Sequence, residues 1–398
     1  MLQIAYMDPH PVPDTCTESL QMLYTADAMG QLGVCVEFIT PEPEYIDSRG
    51  EHILGHALSD NVQFHYLTNW RKNWWYPGSS NKPYYYAAMR LLASLNVDAV
   101  FCRNLKMADY LLRKGSTIPL YFESHEPFTE TYREDHPHMT AREQKKFSEL
   151  KERESFVYRH SSGLVVVPPL LEAFVRSEYG LQKKIAVAPN GVDLEQAFIH
   201  DKAMEANKER PVVLYLGSLH AWKGVETLIH SMVEVAPEAM LRVAGGAEAR
   251  IQELKRLAVS CSVAERVEFV GQVEPGRRFE VIQIADVCVL PLTNAGIASR
   301  YTSPIKLFEY MASGKAIVVS DLPSTRVFVT DEKEVLMAKV GDASSLAMTI
   351  NRLLASRALR NELGDRARRC VEQYSWKKRA ETIVSYIEQD LVEMKGGR

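Results

Sequence analysis

Short runs that are apolar at nearly every position punctuate the chain, and the stretches between them carry apolar residues at helical spacing. Residues 2–7, 34–40, 62–66, 99–102, 120–123, 164–167 and 184–188 read as strands, with a helix near 18–32 and helical stretches between most of the others. A second set of strands follows at 212–216, 240–244, 267–270, 287–290, 316–319 and 335–339. Short runs that are apolar at successive positions fit strands buried on both faces, and strand–helix alternation argues βαβ units in a parallel sheet. The pattern predicts an α/β chain of two facing, Rossmann-like, doubly wound domains, at 1–190 and 191–375. A last helix opened by Trp376, over 376–398, is expected to cross back to the first domain. The polar segment 199–210 reads as a linker, and a charge-rich helix over 140–160 as a solvated face. Ligands of such domains sit at the carboxyl ends of the strands and in the cleft between domains.

Composition narrows the partners. At 398 residues the chain exceeds what one core usually serves, and 46% hydrophobic with 25% charged residues is ordinary for a globular protein. A net charge of −4 gives no electrostatic case for nucleic acid. The six cysteines are scattered without metal-binding spacing and read as reduced, mostly buried thiols. No apolar stretch approaches the roughly 20 residues of a membrane span, and the chain opens on a strand rather than on an export leader. The expectation is a cytoplasmic protein that is neither exported nor integral to a membrane.

Candidate chemistry gathers at 303–321. Ser303-Pro304 marks a turn, 305–312 an amphipathic helix stopped by Gly314, and 316–319 a buried strand. Amides near Ser303, Pro304 and Ile305 open the helix, where partial positive charge favours an anion such as phosphate, and Lys306 adds a full charge. Glu309, one turn on, only accepts hydrogen bonds when ionised and suits the paired hydroxyls of a ribose. The plainer reading of an isolated glutamate is a solvated helix residue. After strand 212–216 comes Gly217-Ser218-Leu219-His220-Ala221-Trp222-Lys223-Gly224, where a glycine turns the chain and Lys223 adds charge at a helix start.

In order along the chain, Pro189-Asn190-Gly191-Val192-Asp193, Lys223, Gly245-Gly246, Gly271-Gln272-Val273, the Ser-Pro-x-Lys-Leu-x-Glu-Tyr-Met-Ala pattern of 303–312 and Tyr374-Ser375-Trp376 resemble one family. It is the retaining glycosyltransferases of family 4, built on the glycosyltransferase-B fold. The resemblance implies a donor site of Gly217, Ser218, Lys223, Val273, Ser303, Pro304, Ile305, Lys306 and Glu309. Glu309 would hold the ribose, backbone near Val273 the base, and Lys223 with Lys306 the leaving diphosphate. His125, in Ser124-His125-Glu126, falls where the family often places a histidine beside the transferred sugar, and a neutral imidazole there can donate to a sugar hydroxyl. His125, Lys223 and Glu309 form the implied catalytic set. The bland reading of His125 is a structural loop histidine.

Two positions depart from the family. Tyr301 stands where the first of its two glutamates falls, and Cys16-Thr17 replaces the paired glycines of the first loop, which with Glu18 is assigned to the acceptor. The implied reaction moves sugar from a nucleoside-diphosphate sugar, of UDP- or GDP-hexose type, to a hydroxyl of a glycan, glycolipid or small molecule, with no further cofactor and no metal. Between 69 and 86, Trp70, Trp74 and Trp75 interleave with Arg71, Lys72 and Lys82, and Trp74 and Trp75 are assigned to the acceptor. A core patch or a peripheral contact with the inner face of a membrane are the other readings of that stretch. His136 and His138 read as part of a polar loop rather than as metal ligands. The rivals to transfer are an epimerase or hydrolase on the same fold, and a non-catalytic nucleotide-sugar-binding protein. Nicotinamide binding is disfavoured, since no G-x-G-x-x-G follows either opening strand.

Overall fold

The computed structural model describes residues 1–43, 50–68, 80–201 and 210–396. It divides into two compact units, the first made of Met1–Asn190 with Trp376–Arg398 and the second of Gly191–Ser375. Trp74 and Trp75 lie outside the described residues.

The first unit carries β1 (Gln3–Met7), β2 (Cys35–Pro41), β3 (Val62–Leu67), β4 (Ala99–Cys102), β5 (Leu120–Ser124), β6 (Gly163–Val166) and β7 (Ile185–Val187), ordered β3-β2-β1-β4-β5-β6-β7. The second carries β8 (Val212–Leu216), β9 (Met240–Ala244), β10 (Val267–Gly271), β11 (Val287–Leu290), β12 (Ala316–Ser320) and β13 (Leu336–Ala338), ordered β10-β9-β8-β11-β12-β13. All the paired strands are parallel, and the order reverses between β1 and β4 in one sheet and between β8 and β11 in the other. Those reversals are where open α/β sheets hold ligands.

Burial on both faces explains the near-continuous apolar runs. Val213 and Tyr215 of β8 join Leu241, Val243, Val287, Val289 and Val318 in one core. Their neighbours Leu214 and Leu216 face the other core with Cys288, Leu290, Ile317, Val319, Phe308 and Met311. Each such side chain contributes roughly 1.5–3 kcal/mol by leaving water, so neither face tolerates a polar residue cheaply. The helix Trp376–Gly396 packs on the first unit, with Trp376 stacked on Tyr24 at 5.3 Å and 6°.

Several expectations are corrected. The linker segment 199–210 begins inside a helix, Leu194–Asp201, whose start is capped where Asp193 Oδ1 accepts the Gln196 N–H at 3.0 Å. The helix Phe128–Asp135 takes in Glu134 and Asp135 but leaves His136 and His138 in the expected loop, the His136 ring lying on Tyr132 with its Nδ1 2.9 Å from the Tyr132 carbonyl oxygen. After residue 341 the chain forms two helices, Ala343–Ala355 and Arg357–Val371, and Ser356 caps the second by accepting the Leu359 N–H. Only Cys102 and Cys288 are buried: Cys16 precedes the first helix and is exposed, and Cys35, Cys261 and Cys370 sit near element ends, partly exposed.

Candidate functional site

In the second unit the candidate site lies around the carboxyl end of β8. Gly217 ends that strand, its N–H donating to Ala244 O at 2.8 Å, and a Cβ added there would stand 2.0 Å from Lys306 Cε. Glycine is needed because the Lys306 side chain crosses this spot. The Ser218 carbonyl accepts the Tyr215 hydroxyl at 2.6 Å, and Trp222 O accepts the Thr293 N–H at 3.0 Å, which ties the loop after β8 to the one after β11. Between them the Lys223 ammonium sits 3.6 Å from the centroid of the Trp222 ring. Burial first, and the Lys306 charge second, pull the Lys223 pKa down to about 7. Among the described residues neither lysine has a carboxylate partner. Two cations held close without a counterion are costly, and an anion between them removes the cost.

The helix Ile305–Ala312 brings Lys306 and Glu309 to one face, three residues apart. Pro304 stands at its N-cap and no side chain caps its first amides, while Ser303 just before is buried. Tyr310 pins the helix to β8 by accepting the Leu216 N–H at 2.9 Å. Glu309 is 7% exposed, which overturns the solvated reading, and its Oε1 lies 2.8 Å from Arg278 Nε. Val273 follows β10 and packs against the core on this side. Arg278 escaped the sequence reading, and its signal was slight: a paired Arg277-Arg278 after Pro275-Gly276, opening the helix Arg278–Gln283.

In the first unit, His125 follows β5 and donates or accepts at Nε2 against Glu123 Oε2, 2.8 Å away. Glu123 is 1% exposed, and its other oxygen takes a hydrogen bond from Arg379 of the C-terminal helix. Burial alone would raise the Glu123 carboxyl, but Arg379, His125 and Arg103 overcome it and hold the group well below the usual carboxylate range. Burial, with Arg103 next, lowers His125 to about 4 against the opposing pull of Glu123, so the imidazole is neutral at pH 7. Arg103, at the end of β4, donates to Glu18 O and Gln21 Oε1, both at 3.1 Å. Glu18 itself is exposed in the first turn of the helix Thr17–Gln31. Arg379 was missed, although its place was readable: it shares an apolar stripe with Trp376, Ala380, Ile383 and Ile387, where an unpaired charge is rare.

A family model described as "Glycosyl transferases group 1" matches residues 197–370, and one described as "Glycosyltransferase Family 4" matches residues 20–196. The chain belongs to this glycosyltransferase family. Gly217, Lys223, Arg278 and Glu309 all fall within the group 1 match. By sequence, the family 4 chain is similar to D-inositol 3-phosphate glycosyltransferase of Xylanimonas cellulosilytica, 27% identical over 220 residues, 52% of this chain and 51% of that one. The chain thus spans about half the length of that relative. By structure, it is similar to sucrose-phosphate synthase from Thermosynechococcus elongatus (TM-score 0.78, 19% identity, covering 98% of this chain and 99% of that one). It is also similar to HepE of Anabaena in complex with UDP-glucose (TM-score 0.69, 14% identity, covering 100% of both chains). These likenesses give the fold, the glycosyltransferase-B fold of this family. No helix among the described residues is long and apolar enough to cross a membrane.

Proposed function

We propose that the chain is a retaining glycosyltransferase that moves a hexose-type sugar from a nucleoside diphosphate to an acceptor hydroxyl, in the cytoplasm, during synthesis of a glycan or glycolipid. One observation carries the reading: Lys223 and Lys306 lie close together without carboxylate partners among the described residues, and Glu309 lies one turn from Lys306 on the same helix. A diphosphate satisfies the two cations, and a ribose beside it reaches the carboxylate. Each carboxylate oxygen has two lone pairs, so Glu309 keeps acceptor capacity beyond Arg278. The UDP-glucose complex of the Anabaena protein and the glycosyl transfer named for the Xylanimonas relative support a nucleotide-sugar donor.

In the reaction the bond between the anomeric carbon and the leaving phosphate oxygen breaks, and the acceptor oxygen bonds to that carbon from the same face. A leaving-phosphate oxygen takes the acceptor proton. The protein's part is electrostatic. Lys223, Lys306 and the amides at the start of the helix Ile305–Ala312 stabilise charge growing on the diphosphate, a role worth roughly 3–4 kcal/mol per well-placed donor. These groups carry the phosphate charge without a metal in this reading.

A thermal-shift screen of UDP- and GDP-sugars, followed by turnover with candidate acceptors and NMR of the product's anomeric centre, tests it. Donor-dependent stabilisation and a product of retained configuration are expected. Sugar release to water regardless of acceptor would make the chain a hydrolase instead, and binding without turnover a non-catalytic protein.

A further inference from the structure

Lys223 and Lys306 stand close together in the second unit, with no carboxylate on either among the described residues. Two ammonium groups repel, and a four-carbon stem lets each swing into water, so something must hold Lys223 where it is. The partner that the structure gives its Nζ is the Trp222 indole, with the ammonium 3.6 Å from the ring centroid. The face of an indole is the negative part of its quadrupole, and tryptophan holds a cation better than the other aromatic residues. The ring is itself fixed. Trp222 O accepts from the Thr293 N–H at 3.0 Å and from the Thr293 hydroxyl at 3.2 Å, and its side chain packs against the core that contains Leu216, Leu290 and Leu292. Gly224, next after the lysine, has a φ of +72°, and a Cβ there would run into the Pro291 carbonyl oxygen. Glycine thus lets the loop after β8 press on the loop after β11 and keeps Trp222 and Lys223 down on it. An ammonium has three N–H donors, and the ring takes only the side that faces it, so donors remain for an anion.

We propose that Trp222 is a positioning residue, whose indole face holds the Lys223 ammonium and presents it, beside Lys306, to a diphosphate. The hold on the ammonium is a property of the chain alone. That the diphosphate belongs to a sugar donor rests on the glycosyl-transfer reading. A residue that packs as part of the core thus also sets where one charge of the anion site stands.

The test changes the charge on the ring while nearly keeping its shape. Tryptophans carrying one to four fluorines, placed at position 222 of the full chain, weaken the negative face of the indole stepwise. The Lys223 titration, followed through a ¹³Cε resonance assigned with Lys223→Met, reads the contact without a ligand. The other charge acting on this ammonium is Lys306, which the series leaves alone. Because the ring supports the charged form, the midpoint near pH 7 should step down along the series, by about one pH unit at four fluorines, the scale of a desolvated cation–π contact. Calorimetric titration of inorganic pyrophosphate at pH 5.5, where the lysine is protonated, reads the placement. Trp222→Leu should bind about tenfold more weakly than the native chain, and Trp222→Phe should recover part of that loss. In a Lys223→Met background, Trp222→Leu should cost nothing further, since the ring then has no cation to hold. A midpoint that stays flat across the fluorinated series overturns the hold, and this arm stands even where Trp222→Leu fails to fold. Equal or tighter pyrophosphate binding by a folded Trp222→Leu overturns the presentation, as does a Trp222→Leu loss that persists in Lys223→Met, or a native chain that binds no pyrophosphate. A midpoint that steps down in a chain that binds pyrophosphate but no nucleoside diphosphate supports the hold and overturns the sugar-donor reading alone.

Discussion

Arg278 Nε lies 2.8 Å from Glu309 Oε1, with the two side chains 11% and 9% exposed. The guanidinium stacks 4.6 Å from the Phe279 ring centroid, and its Nη1 donates to Pro275 O at 2.5 Å. The ion pair ties the Glu309 carboxylate on its own helix to the start of the helix Arg278–Gln283.

Removing that partner strands a buried carboxylate. Arg278→Met should cost on the order of 3 kcal/mol in urea unfolding. Arg278→Lys keeps the charge but not the planar fork, so it should recover stability better than nucleotide affinity. Unfolding curves and nucleoside-diphosphate titrations of both variants check the split, and equal recovery of the two quantities would speak against an orienting role.

Under the proposed function, Lys223 should give donor binding a pH dependence. Its pKa is lowered to about 7 by burial and by Lys306, and a diphosphate beside it would raise it again. Below pH 7 both states hold the proton, and affinity is flat. Above pH 7 binding must take up a proton, so affinity falls by up to about tenfold per unit until the bound-state value is reached. Lys223→Ala should abolish this slope and depress kcat more than donor affinity. Titrations from pH 6 to 9 in buffers of different ionisation enthalpy measure both affinity and proton uptake.

His125 sets a pH dependence on stability. Its native pKa, about 4, lies below the ordinary 6.5, so between those values the unfolded chain binds the proton and the folded chain does not. Stability therefore falls as pH drops from about 6.5 towards 4, by on the order of 2–3 kcal/mol from this group. His125→Asn should lose that part of the slope, which unfolding at pH 7, 5.5 and 4.5 will register.

The fold was legible because both sheets are buried on two faces. Val212 to Leu216 and Ala316 to Val319 are apolar throughout, and such runs leave little choice but a parallel sheet. Strand ends moved by about one residue, since Gly163 and Ser320 pair in the ladders without an apolar side chain to announce it. The helix Leu194–Asp201 was hidden by the charged segment that follows it. Around Glu309 the sequence carried Gly217, Lys223 and Lys306, which stand in a spaced pattern along the chain and which the fold brings together. It did not carry the residues behind them. Arg278 and Arg379 act over separations of 31 and 256 residues from Glu309 and Glu123, and only tertiary folding brings them there.

Calorimetric titration of the native chain, Glu309→Gln and Glu309→Ala with the cognate nucleoside diphosphate bears most directly on the nucleotide site. Two charge-assisted hydrogen bonds to ribose, each worth roughly 1.5–3 kcal/mol, should make Glu309→Ala lose affinity by tenfold or more and Glu309→Gln by less. The variants should keep a native-like melt in the presence of ligand, so that loss of binding is read from folded protein. A folded Glu309→Ala that binds the nucleoside diphosphate as tightly as the native chain would contradict the assignment of this helix to the donor.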